Sequence, residues 1–233
     1  MNRVNSANLD SGTEKYLDFV FYQVEPAWRR LSVEEKKNGI DEFIANIKSH
    51  VDRVEVRAYS TIGIREDADF LLWTISRGIP DIQDFLSDAF KTGLGKYLRI
   101  AYSFLSMKKP SIYTGAHPQT FEMNLSPLRY LIVYPFVKSR EWYLLPFEER
   151  KKMMEAHRAV GQKFPSVRLN TTYAFGLSDQ DFVLAFETDS PTDFQTLIMQ
   201  LRESEASRYT VKDTPMMFCV FRELEEILLS LGL

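Results

Sequence analysis

The chain has 233 residues, 45% of them hydrophobic and 26% charged, which is the make-up of a globular protein able to bury a real core in one large domain or two ordinary ones. A formal net charge of -3 gives no global attraction to nucleic acid or to an anionic membrane surface, so neither is expected as a partner. The single Cys219 excludes an internal disulfide and fits a reducing compartment, no stretch of about 18 apolar residues exists to span a membrane, and a cytoplasmic location is expected.

Residues 1–14 are polar, with Asn, Ser and Gly and no periodicity, and are expected as a disordered lead-in. YLDFVFYQV (16–24) reads as a strand. A helical region follows from about Pro26 towards His50, its main part opened by the capping-box sequence SVEE at 32–35, with Ile40, Phe43, Ile44 and Ile47 on its apolar face. The segments 54–64 and 69–76 read as two strands joined by the charged turn REDA, most simply a hairpin. Ile79 to Leu98 is mainly helical, weakened near its end by Gly93 and Gly95, and 99–107 is a strand. The order β-α-β-β-α-β is that of a ferredoxin-like unit.

The same order then repeats: strand 129–138, helix 147–164, strands 167–175 and 181–187, helix 192–203, strand 214–221. GIREDADFLLW (63–73) and GLSDQDFVLAF (176–186) share a Gly, an aliphatic residue, an acidic turn and an Asp-Phe pair, as a duplicated unit would. The expected architecture is α+β, two tandem ferredoxin-like repeats of the dimeric α/β barrel type. Residues 15–107 form one half, 108–127 a connector and 128–233 the second half. Pockets between a sheet and the helices on it are common ligand sites.

On the second-half helix His157 shares a face with Met153, Met154, Val160, Gly161 and Phe164. A neutral imidazole in an apolar stripe suits a haem-iron ligand; the same pattern also describes a core histidine with a hydrogen-bonded ring. Tyr134 and Lys138 lie on one face of the preceding strand, where a phenol and an ammonium would line one wall, or where a packed tyrosine precedes a surface lysine. Pro135 between them implies a strand edge or end. His117, in the connector sequence GAHP (115–118), would serve as an acid or base above a ligand or simply be a solvated loop histidine. No glycine-rich phosphate loop, nucleophile elbow or Cys/His metal cluster competes with these.

YPFVK (134–138), EWYLL (141–145), the helix ERKKMMEAH ending at His157, and LNTTYAFGLSDQDFVLAFET (169–188) together resemble the chlorite dismutase superfamily, and within it the coproheme decarboxylases of the actinobacterial type. The resemblance is strongest over 129–219, and GIREDAD (63–69) carries it over nearly the whole chain. It implies haem iron bound by His157, a hydrogen-abstracting Tyr134, Lys138 beside the reacting propionates, Trp142 near the haem, Arg208 on a propionate and His117 as the distal histidine. It also implies a reaction, the peroxide-dependent oxidative decarboxylation of iron-coproporphyrin III (coproheme) to haem b, and a homo-oligomer, a pentamer by family habit. Chlorite-degrading members carry a distal arginine on the strand after the proximal histidine. Here that position falls on Leu169 or Asn170, so the arginine signature is missing. Haem-dependent chlorite breakdown and a non-catalytic haem-binding or structural barrel remain the alternatives.

Overall fold

The computed structural model describes residues 14–113, 115, 118–123 and 125–233. The polar lead-in therefore lies almost wholly outside the described residues. In chain order the elements are β1 (Tyr16–Val24), α1 (Val33–Ser49), β2 (Val54–Ser60), β3 (Phe70–Ser76), α2 (Ile79–Ala89), β4 (Leu98–Met107), β5 (Tyr130–Lys138), α3 (Arg140–Leu144), α4 (Phe147–Gly161), β6 (Val167–Tyr173), β7 (Phe182–Thr188), α5 (Pro191–Arg202), β8 (Thr210–Lys212), β9 (Met217–Phe221) and α6 (Leu224–Leu229). The fold is α+β with antiparallel sheet throughout the pairings of each unit. Among the described residues no helix is long and apolar enough to cross a membrane.

Two compact units emerge, one of residues up to Lys108 together with Cys219–Leu233, the other Lys109–Phe218. In the first, β1 lies between β3 and β4, and β2 pairs with β3. This is the split-βαβ arrangement that antiparallel pairing and two crossover helices produce. Its core gathers Val20, Tyr22, Phe43, Phe70, Leu72 and Phe85 from sheet and helices. Ile227, Leu228 and Leu231 join that same core, which is why the C-terminal residues fold with the first unit. Ser32 caps α1 as its sequence requires: its hydroxyl accepts from Glu35 N at 3.2 Å, and the Glu35 carboxylate accepts from Ser32 N at 2.9 Å.

The helix expected over 79–98 stops at Ala89, because the chain there turns back tightly on itself. A Cβ on Gly95 would stand 1.8 Å from the Ala89 carbonyl oxygen. Gly95→Ala is therefore expected to cost about 3 kcal/mol through forced backbone displacement, read as a lower Tm in thermal denaturation. An unchanged Tm would show that the turn has slack.

In the second unit the order is β6-β7-β5-β8, covered by a cluster of Ile132, Tyr134, Phe186, Phe194 and Leu197 to which α4 adds Val160 and α5 adds Ile198 and Leu201. Its internal contacts reproduce those of the first unit. Asp69 accepts Val24 N at 2.7 Å and donates its own N–H to the Tyr22 carbonyl at 2.7 Å. Asp181 accepts Lys138 N at 2.8 Å and donates its N–H to the Phe136 carbonyl at 3.1 Å. The preceding turns carry Gly63 at φ +74° and Gly176 at φ +71°, a left-handed conformation that favours glycine. Trp28 sits 5.7 Å from Tyr97, and Trp142 sits 5.5 Å from Tyr209, both pairs at 52°. Val24 thus corresponds to Lys138 and, by the strand period, Val20 to Tyr134. Because α1 and α4 begin equally far beyond those strands, Phe43 corresponds to His157.

Candidate functional site

That correspondence sorts fold from function. Where the second unit has Tyr134, Lys138 and His157, the first has Val20, Val24 and Phe43, so three polar groups replace side chains that a sheet-and-helix core holds without them. Trp142 and Asp181 have counterparts in Trp28 and Asp69, and packing alone accounts for them.

Tyr134 is 4% exposed. Its ring stacks on Phe186 with centroids 5.9 Å apart and planes at 11°. Burial raises its phenol well above the ordinary tyrosine value, with the Asp213 charge adding to the effect, so the hydroxyl keeps its hydrogen. Lys138 ends β5. Its Nζ donates to the Ala206 carbonyl at 2.5 Å and stands 4.7 Å from the centre of the Trp142 ring. Burial brings its ammonium down to about 8. The half-buried side chain therefore remains a cation at neutral pH that can lose its proton at little cost. Pro135 is paired within β5 to Val183 of β7, and β8 meets β5 at Val137 and Lys138.

His157 lies on α4 between two groups of contacts. Met153 and Met154, towards the helix start, pack in a cluster with Trp142, Ala206, Tyr113 and Tyr209. Val160 and Phe164, towards its end, pack with Tyr134 and Phe186. The helix stripe thus carries the imidazole from the Lys138–Trp142 corner towards the Tyr134 cluster. Its Nδ1 is buried and has no hydrogen-bond partner among the described residues, against the hydrogen-bonded core histidine that was the other reading of this stripe. Burial, and after it the Lys138 charge, bring the ring down to about 4. A neutral imidazole with an unsatisfied ring nitrogen fits a metal ligand. Among the described residues no three His, Cys, Asp or Glu side chains gather to hold a metal ion.

The shift has a measurable consequence for ligand-free protein. The folded chain keeps His157 neutral to about pH 4, whereas the unfolded chain protonates it near 6.5. The unfolded state thus binds more protons in that window, and stability falls as pH falls through it. Urea denaturation at pH 7 and pH 4 is expected to show that wild type loses about 3 kcal/mol more than His157→Phe over this range. Parallel losses would mean that the folded ring finds a partner when protonated.

The pairing of β5, β7 and β6 decides which residue of β6 shares the Tyr134 face. Ile132, Phe186 and Leu169 stand in one row, and Tyr134, Leu184 and Thr171 in the next. Leu169 is therefore on that face, 43% exposed. Asn170 is buried on the opposite face, where its Oδ1 accepts from Thr120 Oγ1 at 2.8 Å and its Nδ2 donates to Glu187 Oε1 at 3.1 Å. Arg168 alternates with Leu169, and its guanidinium donates to the Ser126 carbonyl at 3.1 Å.

Arg208 is exposed on the 3-10 turn Glu205–Tyr209, whose Ala206 carbonyl holds Lys138. His117 lies outside the described residues. Sequence reasoning missed Asp181, which fixes the end of β5 through Lys138 N and accepts from Tyr143 Oη at 2.7 Å. The Asp-Phe pair shared by the two repeats was its signal.

A family model described as chlorite dismutase matches residues 34–222. The coproheme decarboxylase of Mycolicibacterium smegmatis is 36% identical over 208 residues, 88% of this chain and 89% of that protein. The chlorite dismutase of Ideonella dechloratans is 25% identical over 242 residues, 99% of this chain and 84% of that one. Among solved structures, chlorite dismutase from Candidatus Nitrospira defluvii in complex with imidazole superposes with a TM-score of 0.87 at 25% identity, covering 94% of this chain and 95% of its own. With a family model spanning most of its length and a relative above one-third identity, this chain belongs to the chlorite dismutase family.

Proposed function

We propose that this protein is a haem-pathway enzyme that converts iron-coproporphyrin III to haem b by oxidative decarboxylation with hydrogen peroxide. The observation that carries this reading is the placement of a buried protonated phenol, a half-buried amine and an unpartnered neutral imidazole on one strand-and-helix face, at positions where the other repeat is apolar. The identity to a coproheme decarboxylase, higher than that to the chlorite dismutase, supports it.

The iron supplies the oxidising power when peroxide is present; each propionate loses carbon dioxide, a proton and two electrons to become a vinyl group, while peroxide becomes water. His157 would hold the iron. Tyr134 would move a hydrogen atom at its phenol oxygen, giving up its own and taking one from the propionate side chain. Lys138 would draw the reacting carboxylate to the strand end through its charge. Trp142 would wall the pocket beside it, and Arg208 would meet a second propionate from the exposed turn. His117 would serve peroxide deprotonation. A pentamer of such chains in the cytoplasm is part of the same proposal.

Leu169 on the Tyr134 face favours this reading over chlorite breakdown, for the row of described residues through β5, β7 and β6 holds Ile132, Phe186 and Leu169 and no arginine. The test is an absorption titration of purified protein with iron-coproporphyrin III, then peroxide addition and mass analysis of the porphyrin. Saturable binding followed by loss of two carboxyl groups is expected. Oxygen release from chlorite without mass loss would overturn the proposal.

A further inference from the structure

The first unit holds a polar feature that its packing does not need. Between α2 and the strands β1 and β4 lies a cleft of about 430 Å³, walled by Ile79, Ile82, Leu86, Phe90 and Leu105 and lined also by Asp18 of β1. That volume is within the range of small-ligand pockets. Asp18 is 5% exposed and has no cationic partner among the described residues. Its carboxylate accepts from Ser103 Oγ at 3.0 Å and from nearby backbone. Burial pushes the acid up to about 6, so near neutral pH it is mainly a hydrogen-bonded buried anion without a cation beside it.

Four residues further along the same strand face, the Tyr22 hydroxyl is buried and without a hydrogen-bond partner. The Asp18 charge is felt at this phenol, and the Tyr22 ring meets the cleft residue Phe90 edge-on at 6.4 Å. The Asp18 carboxylate is hydrogen-bonded but its charge has no opposite charge beside it, and the Tyr22 hydroxyl has no hydrogen-bond partner among the described residues; both cost free energy that a bound cation would offset. The repeat makes the contrast sharper. Ile132 and Phe136 stand at the matching places of β5 and pack in an apolar cluster, so this position in the sheet does not require an acid or a phenol.

We propose that this cleft is a binding site for a small amphipathic cation, whose ammonium or amidinium head meets the Asp18 carboxylate while its apolar body lies along α2. The cleft's lining residues all belong to the first unit, and the proposal does not depend on the catalytic reading. The probe is n-hexylammonium, titrated calorimetrically into the full-length protein, with n-hexanol as the uncharged comparison. Saturable binding of the ammonium is expected, weakened at least about tenfold by Asp18→Asn and at least about tenfold for the alcohol, since a charge-assisted contact is lost in each. Ser87→Trp, on the exposed rim of the cleft, should block entry without disturbing the buried acid, and it keeps the test decisive if Asp18→Asn folds poorly. No saturable binding, equal affinity for the alcohol, or binding indifferent to Ser87→Trp would overturn the proposal.

Discussion

Tyr134→Phe is expected to abolish decarboxylation while leaving iron-coproporphyrin III binding intact. The substitution removes one oxygen from a ring that is 4% exposed and stacked on Phe186. The apolar contacts that place β5 against α4 and α5 survive, and so does the wall facing the porphyrin. What disappears is a hydrogen that burial holds on the phenol across the physiological range. Lys138 cannot replace it, because an amine nitrogen is a far poorer hydrogen-atom donor than a phenol. Turnover should fall by on the order of 10³ or more, the upper range for removal of a positioned proton-transferring group. Peroxide addition to the loaded variant, followed by porphyrin mass analysis, reads the result. Retained loss of carboxyl groups would sink the role given to Tyr134, whereas loss of porphyrin binding would show that the hydroxyl serves affinity.

How far the sequence reached depended on the range of the interaction. The Ser32–Glu35 box and the stripe through His157 are local patterns, and both elements stand where those patterns place them. Three short elements escaped. α3 and β8 are too brief for periodicity to register, and α6 exists because Ile227, Leu228 and Leu231 bury against strands and helices some 130 or more positions earlier in the chain. The strand expected over 54–64 ends at Ser60 because the chain turns through Gly63.

At the site, the Tyr134 and Lys138 face was legible from alternation. The choice between Leu169 and Asn170 was not, since a shift of one residue moves a strand's side chains to the other face and only pairing with β7 fixes it. The unsatisfied Nδ1 of His157 was likewise beyond the sequence, because a stripe shows which neighbours a side chain has along its helix but not what lies opposite. The short match between GIREDADF and GLSDQDF, by contrast, marked a correspondence that runs through both units and separates Trp142 from His157 in kind.

The second large effect is expected for His157→Ala, and it distinguishes a ligand from a core residue. A core histidine contributes packing and a hydrogen bond, so its removal would lower the stability of the ligand-free protein and leave porphyrin affinity nearly unchanged. The geometry argues the reverse. Nδ1 has no partner to lose among the described residues, the ring is only partly buried, and its neighbours Met153 and Met154 have flexible side chains that can relax into the space. The ligand-free variant should therefore unfold within about 1 kcal/mol of wild type at pH 7. Its affinity for iron-coproporphyrin III should fall at least about a hundredfold, as deleting a metal ligand costs no less than deleting the group that orients one. Affinity for the metal-free porphyrin should change little, because only the iron contact is gone. Equal weakening with and without iron would assign His157 to the pocket wall, and a destabilised ligand-free chain with full affinity would return it to the core.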